Sequence, residues 1–578
     1  MAEISGNSEY GKYTLDCMTL IAGKNATISG HVLVGHNEDD YVHACVRHGY
    51  MPACDYKDDD TMPAENGNIA IPQVKHTLGY WWSEVRGPEC GLSTADAFYN
   101  ECGVCVVSNS SCGSKEDALE ENHQPGIVYE LRRAIAERAH SAREGMNVAR
   151  ELLERYGYAS PGRIYTIADK DEAFMIQVVR GHRYLAARIP DDAVVAMPNH
   201  YTMHSLKDVA EMYYPNDLIQ HAIANEWYKP QIENNFDDFD FAAAYQNADM
   251  IKNPVNTLRQ KYALQMLLGR EWDEEKEGFP FCVKGAEKIS KDDFMRVLST
   301  HYEGKDCDKR FGAGKTPHFT DVRRICTGST VESNVFEFAD TPKLTTLWTA
   351  YGRPCEVPYI PSHPLCGISP HIGKMDNPQK EAALHFEKQP GLTQYRNDGW
   401  QKFKDFQNEA ECTYSECIGS ISFMKTELQK EFDKANRETI SGGYADEEIV
   451  RRDTAAVMQA LNEIDKVSAS FHRVKVTNVN LTFDNEKKLT AKVNFTAEGS
   501  IDKESLLFGV GGTSVNKEFA KCASLEMNGS LAEAWFVFDK DPLELDGEGT
   551  YEFFLSGKYE KGTSFGAMTL VEYKYSKK

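Results

Sequence analysis

LDCMTLIAGKNATISGHVLVGHNEDD, residues 15–40, decides how the chain is read. Cys17 is followed by an apolar run, MTLIAG, then a polar turn, a second apolar run, HVLVGH, and a burst of Asn, Glu and Asp. Two short apolar runs joined by turn residues predict a pair of strands. A structural thiol needs no such company. A nucleophilic one does, because only the thiolate attacks and it forms only beside a base or in an electropositive pocket.

Outward from this stretch, the 578 residues exceed what one core normally organises, so a large domain with at least one smaller unit is expected. The hydrophobic share of 41% is enough for a globular core. Lys plus Arg number 64 against 88 Asp plus Glu, a net charge of -24, and no basic run tracks a phosphate backbone. Nucleic acid and membrane are therefore not expected as partners. No apolar run reaches the length of a membrane span, and the start lacks the pattern of a secretory signal, which predicts a cytoplasmic protein. Fifteen scattered cysteines, an odd number, agree with a reducing compartment. CGVC, Cys102 to Cys105, has the spacing of a metal or redox pair, but no second pair follows it and it lies within a strand-like run. No metal or organic cofactor is implied.

Residues 17 to about 110 read as strands, and a helical pattern follows over roughly 127–156, on which Ile127, Leu131, Ile135, Ala139, Val148 and Leu152 share one face. Within it, RRAIAERAH reads as helix surface. Strands return at RIYTIAD, EAFMIQVV, RYLAARI and DAVVAMPNH, and again at RRICTGSTVESNVFEF and LTTLWTAYGRPCEVPYI. The stretch 376–467 is charged and helical. Period-two runs then predict a separate C-terminal β-sandwich of immunoglobulin-like size over 468–578.

If the Asp16–Cys17 bond is cut, Cys17 gains an α-amine on the same residue as its thiol. Such an amine titrates near about 7.7–8.0, where a general base works well. A Cys-His dyad is the other solution, and 17 histidines leave it open.

Residues 17–40 resemble the opening of the cysteine dipeptidases of the dipeptidase A type, N-terminal-nucleophile hydrolases related to penicillin V acylase and bile salt hydrolase. The likeness continues through WWSEVRGPECGLSTADAFYNECGVCVVSNSSCGSKE, through YGYASPGRIYTIADKDEAFMIQVVRGHRYLAARIPDDAVVAMPNHY, and through RRICTGSTVES followed by GRPCEVPYIP. Four motifs in order are a strong signal where any one is weak. The resemblance implies an α+β fold, a four-layer αββα sandwich over residues 17–375 with Cys17 opening a central strand and residues 1–16 a propeptide. It implies hydrolysis of dipeptides or small peptides through an acyl-enzyme on Cys17, and a homo-oligomer. Asp39 matches the acid that holds the α-amine. Asn109 and Asn199 match positions that steady the oxyanion, a kind of donor worth about 2.7–4 kcal/mol. The family usually presents arginine where this chain has His36, so either His36 carries charge, another cation such as Arg324 replaces it, or catalysis is slower or differently tuned.

Without the resemblance, Cys17 is a buried small hydrophobe, Asp39 a solvated acid, and the two asparagines turn residues. DYKDDD, Asp55 to Asp60, lacks calcium-loop spacing and reads as a solvated loop. GRP, Gly352 to Pro354, reads first as a strand-ending turn, with Arg353 as the alternative candidate for a substrate carboxylate. Two rival functions stand beside the dipeptidase: an N-acyl amide hydrolase of the same fold, and a non-catalytic interaction protein resembling the secernins.

Overall fold

The computed structural model describes residues 17–40, 45–62, 69–86, 93–109, 112–119, 123–308, 315–318, 322–373, 377–378, 398–483, 488–510, 519–538 and 549–573. The expected propeptide, 1–16, lies outside them.

The chain folds as a mixed α/β protein built on antiparallel sheets. Met18–Ala22 is central in a seven-stranded sheet, between Ala193–Met197 and Leu33–Asp39, with Thr330–Glu337, Thr346–Ala350 and Ile360–Ser362 continuing beyond the latter. An eight-stranded antiparallel sheet holds Tyr158–Ala168 and Cys105–Asn109 at its middle. Successive side chains of a strand face opposite ways, and here both ways are covered. Leu20, Val194 and Val335 join one core with the helices Pro254–Leu268 and Lys291–Leu298, while their neighbours Ile21, Val195 and Phe336 join another with Trp81, Val107 and Met175 of the second sheet. The far face of that second sheet, through Val106 and Ile176, packs on Leu131, Ile135 and Leu152. This two-sided burial is why the strands read as continuous apolar runs.

The helical pattern after residue 127 becomes two helices, Glu130–Arg138 and Ala142–Tyr156, split where Ser141 caps the second by accepting from the Glu144 N–H at 3.2 Å. RRAIAERAH departs from the expected helix surface: Arg132, Arg133 and Glu137 are all buried. Their charges are tolerated inside because Arg133 pairs with Glu137 at 2.7 Å and Arg132 donates to Ser108 Oγ at 3.1 Å.

Helices Asp398–Cys412, Tyr414–Ser441 and Asp446–Ser468 send Phe403, Ile421, Leu428, Val457 and Leu461 into the core on the outer face of the seven-stranded sheet. The charged stretch is thus a cover for that sheet. The C-terminal strands form a seven-stranded antiparallel, barrel-like ladder, in which the Phe519–Asn528 strand pairs on both sides. Register shifts at Asp502/Leu507 and Cys522/Ser524 let the ladder bend. The bridge between Arg473 and Gly566 brings its first strand back to its last. Phe495, Phe508, Phe536, Phe553 and Phe565 fill the interior.

Candidate active site

Cys17 is buried at the entry to the Met18–Ala22 strand. Met18 stands opposite Asn37 and Thr19 opposite His36, so the register carries Cys17 towards Glu38. Its Sγ–H donates to Glu38 Oε2 at 3.3 Å. The neighbouring strand therefore delivers His36 and Glu38 to Cys17, with Asp39 next along the strand and bonded to other partners.

Asp39 is buried and held on both oxygens: Arg323 Nη2 meets Oδ2 at 2.6 Å and Thr330 Oγ1 donates to Oδ1 at 2.6 Å. The arginine paired with Asp39 is thus Arg323, whereas Arg324 lies over the Tyr302 ring at 5.4 Å. Asn109, at the end of Cys105–Asn109, donates from its amide to the Cys17 carbonyl at 3.2 Å and to the Met197 carbonyl at 3.0 Å. It thereby ties the first strand to the Ala193–Met197 strand and spends both amide hydrogens on backbone. Asn199 accepts from Arg259 Nη1 at 3.0 Å, and the same nitrogen donates to the Cys17 carbonyl at 2.7 Å.

His36 occupies a chain of hydrogen bonds that constrains its protons. Thr19 Oγ1 donates its hydrogen to Asn109 Oδ1 at 2.5 Å, so it accepts from His36 Nδ1–H at 2.8 Å. The other nitrogen, Nε2, faces Glu38 Oε2 at 3.4 Å. A favourable contact there requires a second proton within the pair. An imidazolium on a carboxylate satisfies it, as does a neutral ring against a protonated Glu38.

The structure also assembles groups the sequence did not flag. Arg259 is fully buried in the middle of a helix whose other side chains are buried on several faces, so no local pattern marks it. Arg163 donates to Ser108 Oγ at 2.8 Å and Tyr158 OH at 3.0 Å. Burial opposes the Arg163 charge, but Tyr158, Tyr129, Tyr165 and Cys17 outweigh it and raise its pKa above the ordinary value. Glu38 had a readable signal, since strand alternation puts it, and not Asp39, across from Cys17. Arg353 is withdrawn from substrate binding: it is buried against Glu356 at 2.6 Å and Glu411 at 3.2 Å. Asp55 pairs with His76 and Asp58 with Lys75, as an exposed loop would.

Cys17 Sγ, a His36 ring nitrogen and a Glu38 oxygen lie within 4.8 Å of one another, a set that could ligate a cation as well as exchange a proton. Among the described residues no helix is long and apolar enough to cross a membrane.

Comparison with known proteins defines the class first. The "Probable dipeptidase" of Latilactobacillus sakei is 24% identical over 356 residues, 60% of this chain and 73% of that protein. The "Probable dipeptidase B" of Lactococcus lactis subsp. lactis is 23% identical over 308 residues, 52% of this chain and 63% of that protein. A third, the "Probable dipeptidase B" of Streptococcus pyogenes serotype M18, is 23% identical over 500 residues, covering 82% and 93%. These are peptidases by name, and the model of peptidase family C69 matches residues 16–371. The chain belongs to peptidase family C69, the cysteine dipeptidase family whose motifs run from Cys17 to the GRPCEVPYIP segment.

Proposed function

We propose that the protein is an autoprocessed cysteine amidohydrolase that cleaves dipeptides or small peptides through an acyl-enzyme on Cys17. The observation that carries this reading is the convergence on one residue: Glu38 takes the thiol hydrogen, and Asn109 and Arg259 hold the Cys17 carbonyl. Residues from three separate parts of the chain meet at a position that a merely structural cysteine would leave to apolar neighbours. The helix, sheet, sheet, helix succession of cores supports the four-layer αββα sandwich of N-terminal-nucleophile hydrolases.

In this reading cleavage after Asp16 frees the Cys17 amine, which takes the thiol proton as sulfur attacks the scissile carbonyl and returns it to the leaving amine. Water then resolves the acyl-enzyme. Asp39, locked by Arg323 and Thr330, orients the amine. Asn109 acts as a positioning residue for Cys17, and Asn199 with Arg259 faces the developing oxyanion. His36, as imidazolium, replaces the family arginine, and Arg163 adds positive potential that favours the thiolate.

Intact mass of the purified protein tests the first step, with loss of residues 1–16 expected. Cys17→Ala should keep those residues and hydrolyse no dipeptide. Hydrolysis of N-acyl amines in place of dipeptides would favour the acylase reading. A Cys17 that reacts with a thiol probe no faster than the other cysteines would favour the non-catalytic one.

A further inference from the structure

A second cluster, outside the Cys17 site, has the chemistry of a metal centre. His301, His318, Cys326 and Cys355 each offer one ligand atom, and the four atoms lie within 4.8 Å of one another. His301 Nε2 and His318 Nε2 are 3.0 Å apart, His318 Nε2 is 3.2 Å from Cys355 Sγ, and Cys326 Sγ is 4.0 Å from His318 Nε2. Zinc bonds of about 2.0–2.1 Å to nitrogen and 2.3 Å to sulfur give tetrahedral edges of roughly 3.3–3.8 Å, so a small adjustment closes the set. All four residues are buried.

The other ring nitrogens are engaged in the manner of metal-bound histidines. His301 Nδ1 meets Glu303 Oε1 at 3.1 Å. His318 Nδ1 meets Glu411 Oε1, with Thr316 Oγ1 at 2.9 Å. Carboxylates behind two imidazoles fix both rings with Nε2 turned inward, towards each other and the two sulfurs. Two inward Nε2 atoms at 3.0 Å can share one hydrogen at most without an ion between them.

We propose that His301, His318, Cys326 and Cys355 bind one zinc ion in a closed tetrahedral site. Two nitrogens and two sulfurs, fully enclosed, select zinc over harder cations and leave no open position for substrate, so the role is structural. On binding, the two thiols release their protons and the two thiolates balance the charge of the ion. The site braces the segment that serves Asp39. The Cys326 N–H donates to the Thr300 carbonyl at 3.2 Å, and Asn37 of the Leu33–Asp39 strand donates to the carbonyls of Leu298 at 2.9 Å and Ile325 at 3.1 Å. Glu411 joins it to the Asp398–Cys412 helix.

The test is metal analysis of the full-length protein, purified under reducing conditions and reconstituted with zinc. One zinc per chain is expected, retained through gel filtration. Cys326→Ser and Cys355→Ser should each lose most of it, while Cys282→Ser, outside the set, should keep it. If the serine variants do not fold, cobalt(II) exchanged into the wild type gives the same answer: thiolate charge-transfer absorption with the strong visible bands of a tetrahedral site is expected. Zinc-free wild type after reconstitution, cobalt without thiolate bands, or a disulfide between Cys326 and Cys355 in the reduced, zinc-supplied protein would each overturn the proposal. None of these readouts depends on peptidase activity, so its failure and that of the Cys17 reading are distinguishable.

Discussion

At the residue scale, the distinctive position is His36. Its hydrogen bonds to Thr19 and Glu38 call for a second proton in the pair, and in the proposed mechanism that proton makes His36 the cation standing where the family has arginine. His36→Arg should keep kcat/KM within several-fold, whereas His36→Gln, which can bond Thr19 but carries no charge, should lower it about 100-fold. Equal activity of the Gln and Arg variants would remove the charge from the argument. His200, beside Asn199, gives a pH prediction. Burial lowers its pKa to about 4 from an ordinary 6.5, although its contact with Gln260 Oε1 at 2.7 Å acts the other way. The folded state thus prefers neutral imidazole. Its contribution is complete above about pH 6.5 and is lost as pH falls towards 4, about 2–3 kcal/mol by pH 4.5. Urea unfolding at pH 7.5 and 4.5 should show His200→Gln losing less stability on acidification than the wild type by about that amount. The residues of this site were unevenly legible. Cys17, Asp39 and the two asparagines stand in contiguous motifs. Arg163 and Arg323 lie within quoted motifs, but nothing local says that their side chains serve the site, and Arg259 lies outside every motif, so only tertiary packing selects the three.

At the scale of elements, the strand that carries His36, Glu38 and Asp39 is set by its contact with the Lys291–Leu298 helix. A Cβ on Gly35 would lie 2.9 Å from Phe294 Cδ2 and 3.1 Å from Leu298 Cδ1. The helix is itself anchored by a capping box in which Ser290 and Asp293 satisfy each other's backbone N–H groups. Gly35→Ala should therefore cost about 1–3 kcal/mol as the helix or strand shifts, and kcat/KM should fall because the acidic pair moves with the strand. A Tm unchanged within error would show that the interface has room. The strands themselves were legible because both faces of each are buried, which leaves uninterrupted apolar runs. The break at Ala139–Ser141 was not, since apolar periodicity continues across it and only the Ser141 cap marks the new start. RRAIAERAH misleads for a related reason: its charges pair with one another and with Ser108, so composition overstates its exposure.

At the scale of the whole molecule, the C-terminal barrel is joined to the hydrolase core through the Asp398–Cys412 helix. One face of that helix serves the core: Gln407 Oε1 accepts the Arg353 N–H at 2.9 Å, Gln407 Nε2 donates to the Tyr351 carbonyl at 2.8 Å, and Glu411 reaches His318. The other face meets the barrel, where Cys412 packs with Phe554 and Asn408 bonds Glu552 at 3.3 Å. The tightest approach is at Gly566, where a Cβ would lie 2.1 Å from Cys412 Cβ and 3.1 Å from the Leu555 carbonyl oxygen. Helix and ladder are close-packed on their backbones there, and a side chain has nowhere to go unless they separate. The charged pairs around the seam, Arg473 with Glu409 at 2.7 Å and Lys558 with Glu416 at 3.9 Å, are partly exposed and contribute little. Apolar fit at Gly566 therefore governs the junction. Gly566→Leu should lower the Tm of the core, measured calorimetrically, by an amount matching overpacking of about 1–3 kcal/mol, and should split a single transition into two as the barrel uncouples. High salt should leave the wild-type transition nearly unmoved, because exposed pairs do not hold the seam. A Gly566→Leu variant that melts once, at the wild-type temperature, would mean that the barrel rides on the core without stabilising it.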